Sequence, residues 1–159
     1  MTILSDKSII EAIEKNEIII DPFQTENLTP NGYDLTVDDI EIPSKKKHKD
    51  KNLNIAPGER FAISTKETIS CGENHCAQLW LRTSWARKGI ICSFGKIDSG
   101  FKGNLTLLGL NASKDDVRIE IGNTFAQIVF ETLSTSAEEL YDERSGNYQN
   151  QKGITWSKE

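Results

Sequence analysis

The chain has 159 residues, 36% of them hydrophobic and 27% charged, with 19 basic against 24 acidic residues and a net charge of −5. That length fits one domain. The acidic balance disfavours a nucleic-acid binder, which needs a cationic face, yet leaves room for a small phosphate-bearing ligand. No run of about 18 apolar residues suggests a membrane-spanning helix, and the first residues lack the basic-then-apolar order of a secretory signal. An odd count of three cysteines, Cys71, Cys76 and Cys92, points to reduced thiols and a cytoplasmic protein.

In chain order, Ser5 reads as an N-cap, with Ser8 and Glu11 as a second capping start. Ile9, Ile10 and Ile13 form an apolar stripe of a short helix that should stop near Asn16. Ile18–Ile20, closed by Asp21-Pro22, reads as a strand. Further strands are expected at Tyr33–Val37, Ile40–Ile42, Arg60–Ser64, Cys76–Leu81, Gly89–Ser93, Asn104–Asn111, Val117–Ile119 and Phe125–Thr132, with Gly-containing turns between them. Short strands at such spacing predict an all-β sandwich or barrel with one N-terminal helix. Lys45–Lys51 reads as a solvated loop tip. The polar stretch from Ser134 to Glu159 reads as a tail that is loose or ordered only by a ligand. The division expected is a β domain over 1–140 and a tail over 141–159.

No phosphate loop and no G-x-G-x-x-G fingerprint is present. With only His48 and His75, a Ser-His-Asp arrangement is poorly supported. Cys71, His75 and Cys76 crowd six residues without the second ligand pair of a structural zinc site, so a turn and a strand start account for them better. Arg82-Thr83-Ser84-Trp85-Ala86-Arg87 sets two hydroxyls and two guanidiniums together, which suits phosphate or a charged surface turn. Asp98, between Ile97 and Phe101 in a Gly-rich hairpin, is either a general base in a half-buried pocket or a turn former.

Together these segments resemble a family. Asn31-Gly32-Tyr33-Asp34-Leu35, Arg82-Thr83-Ser84-Trp85-Ala86, Gly95–Gly103 and Gly122–Phe130 are similar, in order, to the first four motifs of the trimeric dUTP pyrophosphatases. Ile3–Lys7, Ile18–Phe23 and Asn147–Gly153 look more like the dCTP deaminase branch of the same superfamily. Thr83 stands for the usual Ser and Trp85 for the usual Leu, the latter read as packing. The resemblance implies a distorted, jelly-roll-like β-barrel of the β-clip type. It also implies a homotrimer with sites between subunits, Mg2+ and a deoxypyrimidine triphosphate substrate.

For the site it implies Asp98 as the base that activates water. Thr83, Ser84, Arg87 and Gln127 become phosphate ligands, with Arg82 counted among the substrate-binding residues and supporting the subunit contact and the motif's geometry, and Asp34 reaching the metal through water. Phe101 stacks on deoxyribose, the backbone of Ser93–Lys96 reads the base, and Tyr148 and Gln151 close the tail over the nucleotide. Deaminating relatives carry a proton-shuttling Glu on the strand after the third motif. Leu108 occupies that position here. A Leu transfers no proton, so the expectation is dUTP hydrolysis to dUMP and diphosphate within deoxynucleotide metabolism. A dCTP deaminase, or an enzyme with both activities, is the first alternative. A non-catalytic nucleotide-binding protein on the same scaffold is the second, and Asp98 speaks against it.

Overall fold

The structure is a computed structural model describing residues 2–43, 45 and 52–157. Apart from Lys45, the charge run Lys45–Lys51, with His48, lies outside the described residues. The chain opens with β1 (Thr2–Ile3), α1 (Asp6–Glu14), β2 (Ile18–Asp21), a single 3-10 turn (Thr25–Asn27), β3 (Leu28–Thr29) and β4 (Gly32–Glu41). It continues with β5 (Asn52–Ile55), β6 (Arg60–Thr65), β7 (Thr68–Cys71), β8 (His75–Leu81), α2 (Thr83–Ala86), β9 (Ile90–Cys92), β10 (Lys96–Ile97) and β11 (Lys102–Gly103). The rest is β12 (Thr106–Asn111), β13 (Val117–Glu120), β14 (Thr124–Thr132) and α3 (Tyr141–Arg144).

α1 starts where expected. The Ser5 side chain accepts from the Ser8 N–H, satisfying one orphan donor, and Asn16 turns the chain at φ +59°. Its inner face differs from the expected stripe. Ile9 and Ala12 are buried, while Ile10 faces outward. Full burial of an Ile side chain contributes about 1.5–3 kcal/mol, so Ile9 is the main anchor.

The principal sheet runs β10-β8-β14-β4-β6-β12-β9, with β1 added to β14 and β3 to β4. It curls into a half-barrel, so the expected jelly-roll-like β fold is the one observed. Two small sheets, β11-β7-β2 and β13-β5, accompany it. Tyr33–Val37 and Ile40–Ile42 belong to one segment of chain: the pairing with β6 shifts register between Val37 and Asp39, so a bulge joins what reads as two strands. The core gathers Tyr33, Leu35, Phe61, Ile63, Phe125 and Phe130, each at most 1% exposed.

β12 carries one size constraint. Gly109 lies opposite Phe61, and a Cβ there would stand 2.3 Å from Phe61 Cζ. Phe61 is in turn edge-on to Phe125, with ring centroids 6.0 Å apart. Any side chain at 109 would displace this pair, so the glycine is needed for space rather than for backbone freedom.

The tail is not loose. Asn150 N–H donates to Lys102 O (2.7 Å), Asn104 N–H donates to Gln151 O (3.1 Å), and Thr155 N–H donates to Thr106 Oγ1 (2.9 Å). Lys102 N–H donates to Gln149 Oε1 and Gln149 Nε2 donates to Gly100 O, both at 2.8 Å. The segment uses backbone and amide groups where a core strand would use apolar surface, which is why its composition reads as disorder.

Candidate active site

Strand β8 links two groups of the expected site residues. At its start, β10 pairs Lys96 with Gln78 and Ile97 with Ala77. Asp98 follows, and Gly100 turns the chain at φ +85°, a conformation costly for other residues. A Cβ on Gly100 would also meet Leu140 Cβ at 2.6 Å. The turn opens on a cavity of about 320 Å³ lined by Asp98, Phe101, Leu108, Tyr148, Gln151 and Trp156, among others. Phe101 is 6% exposed and edge-on to Tyr141, with ring centroids 5.5 Å apart. Asp98 is half-exposed and 3.2 Å from Lys96 Nζ. That ion pair contributes little in solvent, so the carboxylate stays available to water or a ligand.

At the other end, β8 leads into α2, and the site is polar. Asp34 on β4, Gln127 on β14 and Trp80 on β8 are cross-strand partners, so they share one sheet face. Asp34 is 8% exposed yet satisfied. Arg82 Nε lies 2.9 Å from its Oδ2, and Gln127 Nε2 donates to Oδ1 at 3.3 Å and to Thr29 Oγ1 at 3.2 Å. Arg82 Nη1 also donates to the Thr124 hydroxyl. Arg82 is thus turned toward the protein, as a residue supporting the motif's geometry. Thr83, Ser84 and Arg87 are exposed around the single turn of α2. Trp85 is more than packing: its Nε1 donates to Thr124 O at 2.9 Å.

One chain does not bring these groups together. Asp98 follows the residue opposite Ala77, whereas Arg82 lies beyond Leu81. Some six strand residues at about 3.3 Å each separate them, roughly 20 Å. The cavity joins Lys96, Asp98, Phe101, Tyr148 and Gln151. The α2 end joins Asp34, Arg82 and Gln127, with Thr83, Ser84 and Arg87 exposed beside them. Ser93 is exposed in the segment between β9 and β10 and does not line the cavity. Gln151 Nε2 is occupied by Asn104 O.

Sequence reasoning missed Thr155 and Trp156, which also line the cavity, and Glu67. The Trp in a polar tail was the available signal. For Glu67 there was none, since a lone Glu between two strands reads as surface. It is fully buried, with Oε2 accepting from Thr36 N–H at 2.9 Å and Oε1 without a hydrogen-bond partner among the described residues. Burial raises its pKa above the ordinary carboxylate value.

Burial also pushes the Cys71 and Cys92 thiols up to about 12 and raises Cys76. Such thiols stay protonated and are poor nucleophiles and metal ligands. Among the described residues no group of three or more His, Cys, Asp or Glu could cage a metal. No helix of the described residues is long and apolar enough to cross a membrane.

Comparison with known proteins matches residues 3–133 to the dCTP deaminase-like family. A dCTP deaminase of Pyrococcus horikoshii is 38% identical, over 91% of this chain and 92% of its own. A probable deoxyuridine 5'-triphosphate nucleotidohydrolase of Sulfolobus islandicus rod-shaped virus 1 is 34% identical, over 99% of both chains. Among solved structures, the dUTPase of Staphylococcus bacteriophage 80alpha superposes with a TM-score of 0.54 at 19% identity, covering 78% of this chain and 95% of that one. The match over most of the chain, on a curled β fold, places the protein in the dCTP deaminase-like family.

Proposed function

We propose that the protein hydrolyses dUTP to dUMP and diphosphate. The observation that carries this reading is the pairing of Asp98 and Leu108 in one cavity, where Asp98 is the one carboxylate among the described lining residues. Hydrolysis needs a group to take a proton from the attacking water and donors to hold phosphate oxygens. Deamination at C4 needs a second proton carrier beside the base, and Leu108 presents only methyl groups there. The viral relative named as a nucleotidohydrolase, which matches over 99% of both chains, supports the same direction.

In this reading Asp98 accepts the proton from a water attacking the α-phosphorus in line. Thr83, Ser84 and Arg87 hold the phosphate oxygens and stabilise the charge that develops, while Gln127, whose Nε2 already donates to Asp34 and Thr29, would have to exchange one of those bonds to join them. Phe101 packs on the deoxyribose, the backbone over Ser93–Lys96 reads the base edge, and Tyr148 and Gln151 cover the nucleotide. Because about 20 Å separates the two ends of β8 in one chain, the complete site would join α2 of one copy to Asp98 of another, which supports a homo-oligomer, a trimer being what the resemblance to the trimeric dUTP pyrophosphatases implies. Both Asp34 oxygens are engaged, and the described residues hold no acidic cluster, so the donor set does not fit a protein-held metal. Magnesium would come as part of the substrate, on the triphosphate oxygens, with Asp34 reaching it only through water.

A dCTP deaminase, or an enzyme with both activities, is the second reading, favoured by the names of relatives at 37–39% identity. The test is incubation of the purified chain with magnesium and either dUTP or dCTP, resolving products by chromatography and assaying ammonia. The expected result is dUMP and diphosphate from dUTP, and no ammonia from dCTP. Ammonia from dCTP would overturn the hydrolysis-only reading and require a proton carrier from another copy. Binding of both nucleotides without turnover would leave the non-catalytic reading standing.

A further inference from the structure

α2 and its C-cap hold three expected phosphate ligands, Thr83, Ser84 and Arg87, on a single turn, which is too short to orient itself. Its N-cap, Arg82, makes no side-chain capping bond, and four residues lie far below the length at which a helix is stable alone. Something outside α2 must set its angle. Trp85 is the buried residue of that turn, 6% exposed. One face of its ring leans on Phe125, with centroids 5.5 Å apart, and Lys88 Nζ lies over the ring, 4.4 Å from its centroid. Its indole N–H donates to Thr124 O at 2.9 Å, and Arg82 Nη1 donates to the hydroxyl of the same Thr124.

Thr124 is at the start of β14, where the register with β4 shifts between Thr124 and Ala126. Such a bulge re-aims the backbone, and here its carbonyl meets the indole. Three residues further along, Gln127 is fixed to Asp34 and Thr29. Two routes therefore lead from Gln127 to Thr83 and Ser84: one through Asp34 and Arg82 to the start of α2, and one along β14 to Thr124 and across one hydrogen bond to Trp85, which alone grips the middle of the turn. A Leu at this position would fill space without making that bond.

We propose that Trp85 is a positioning residue: its hydrogen bond to the Thr124 carbonyl sets the angle of α2, so that Thr83, Ser84 and Arg87 converge on one polyphosphate chain. This rests on the phosphate-binding half of the reading above and not on which base is bound. A neutral hydrogen bond of this kind carries about 0.5–1.5 kcal/mol. Its loss should weaken polyphosphate binding by about 3- to 10-fold.

The test compares wild type, Trp85→Phe, and a chain carrying benzothienylalanine at position 85, in which sulfur replaces the indole N–H without changing ring shape. Magnesium tripolyphosphate is titrated by calorimetry, deoxyuridine binding is measured in parallel, and dUTP turnover is recorded for the wild type. The expected result is tripolyphosphate affinity reduced about 3- to 10-fold in both variants, with deoxyuridine affinity unchanged and the melting temperature lowered by about 2–4 °C at most. Unchanged tripolyphosphate affinity in the benzothienylalanine chain would overturn the proposal, including where Trp85→Phe fails to fold. Equal loss of both ligands in that chain would also overturn it, by showing a general structural role. A wild type that hydrolyses dUTP but does not bind tripolyphosphate would overturn the positioning role while leaving the hydrolase reading intact. A wild type that binds tripolyphosphate without hydrolysing dUTP would do the reverse.

Discussion

The two ends of β8 solve different problems with different materials. Around Asp98 the walls are largely apolar, from Phe101, Leu108 and Trp156, and the one carboxylate is half-exposed and loosely paired. Around α2 the contacts are ionic and amide hydrogen bonds, with Asp34 buried between Arg82 and Gln127. An apolar wall suits a nucleobase and sugar, while a braced set of donors suits phosphate. In the proposed reading the difference is a division of labour, with chemistry at the half-exposed end and charge alignment at the braced one.

The sharpest way to break this comparison is Asp98→Asn. It should keep nucleotide binding and lose about 100- to 10,000-fold in dUTP turnover, since the amide cannot take a proton. Turnover within about threefold of wild type, read by diphosphate release, would make Asp98 a turn residue and remove the chemistry from that end. Next, Arg87→Ala should weaken a non-hydrolysable dUTP analogue by about 10- to 100-fold through loss of charge-assisted hydrogen bonds. The melting temperature should hold, because Arg87 is exposed. Unchanged affinity in calorimetry would take Arg87 out of the site.

Glu67 sharpens the comparison from a third place, beneath β4. Its folded-state pKa is raised by burial, so the folded protein holds that proton more tightly than the unfolded chain. Its contribution is full below the unfolded value of about 4.5 and is lost as pH rises through the folded value. Glu67→Gln keeps an acceptor for Thr36 N–H and removes the titration. The melting temperature of the variant should therefore gain on wild type as pH rises from about 5 to 8. Parallel curves across that range would show that Glu67 does not titrate as its burial implies.

What the sequence made legible was whatever lies contiguous in it. The Ser5 cap, β2, β4, β6, β8, β9 and β12 to β14 with their apolar runs, and the Arg82–Arg87 and Gly95–Gly103 segments are each local signals. Contacts between distant residues were not legible. Gln127 meets Asp34 across 93 residues, and Trp85 meets Thr124 across 39. β5 and β7 escaped because Asn52–Ile55 and Thr68–Cys71 carry few strand-forming residues, and pairing with β13 and with β2 and β11 supplies what propensity does not. The tail's bonds were not legible because its polarity reads as looseness or as order lent by a ligand, whereas amide side chains and backbone groups of distant residues provide them.

That tail has a consequence for colloidal behaviour. β11 is the outer member of its small sheet, paired with β7 on one side. Residues 149–151 cover the other side and satisfy Lys102 and Asn104 backbone groups. A chain ending at Leu140 would bare that edge, and a bare edge is a template for any passing strand, including another copy of itself. Such a chain should enter concentration-dependent aggregates, visible by light scattering, that the full-length protein avoids. Gln151, which lines the cavity beside Asp98, and its two preceding neighbours would then also act as a guard against cross-molecular strand addition.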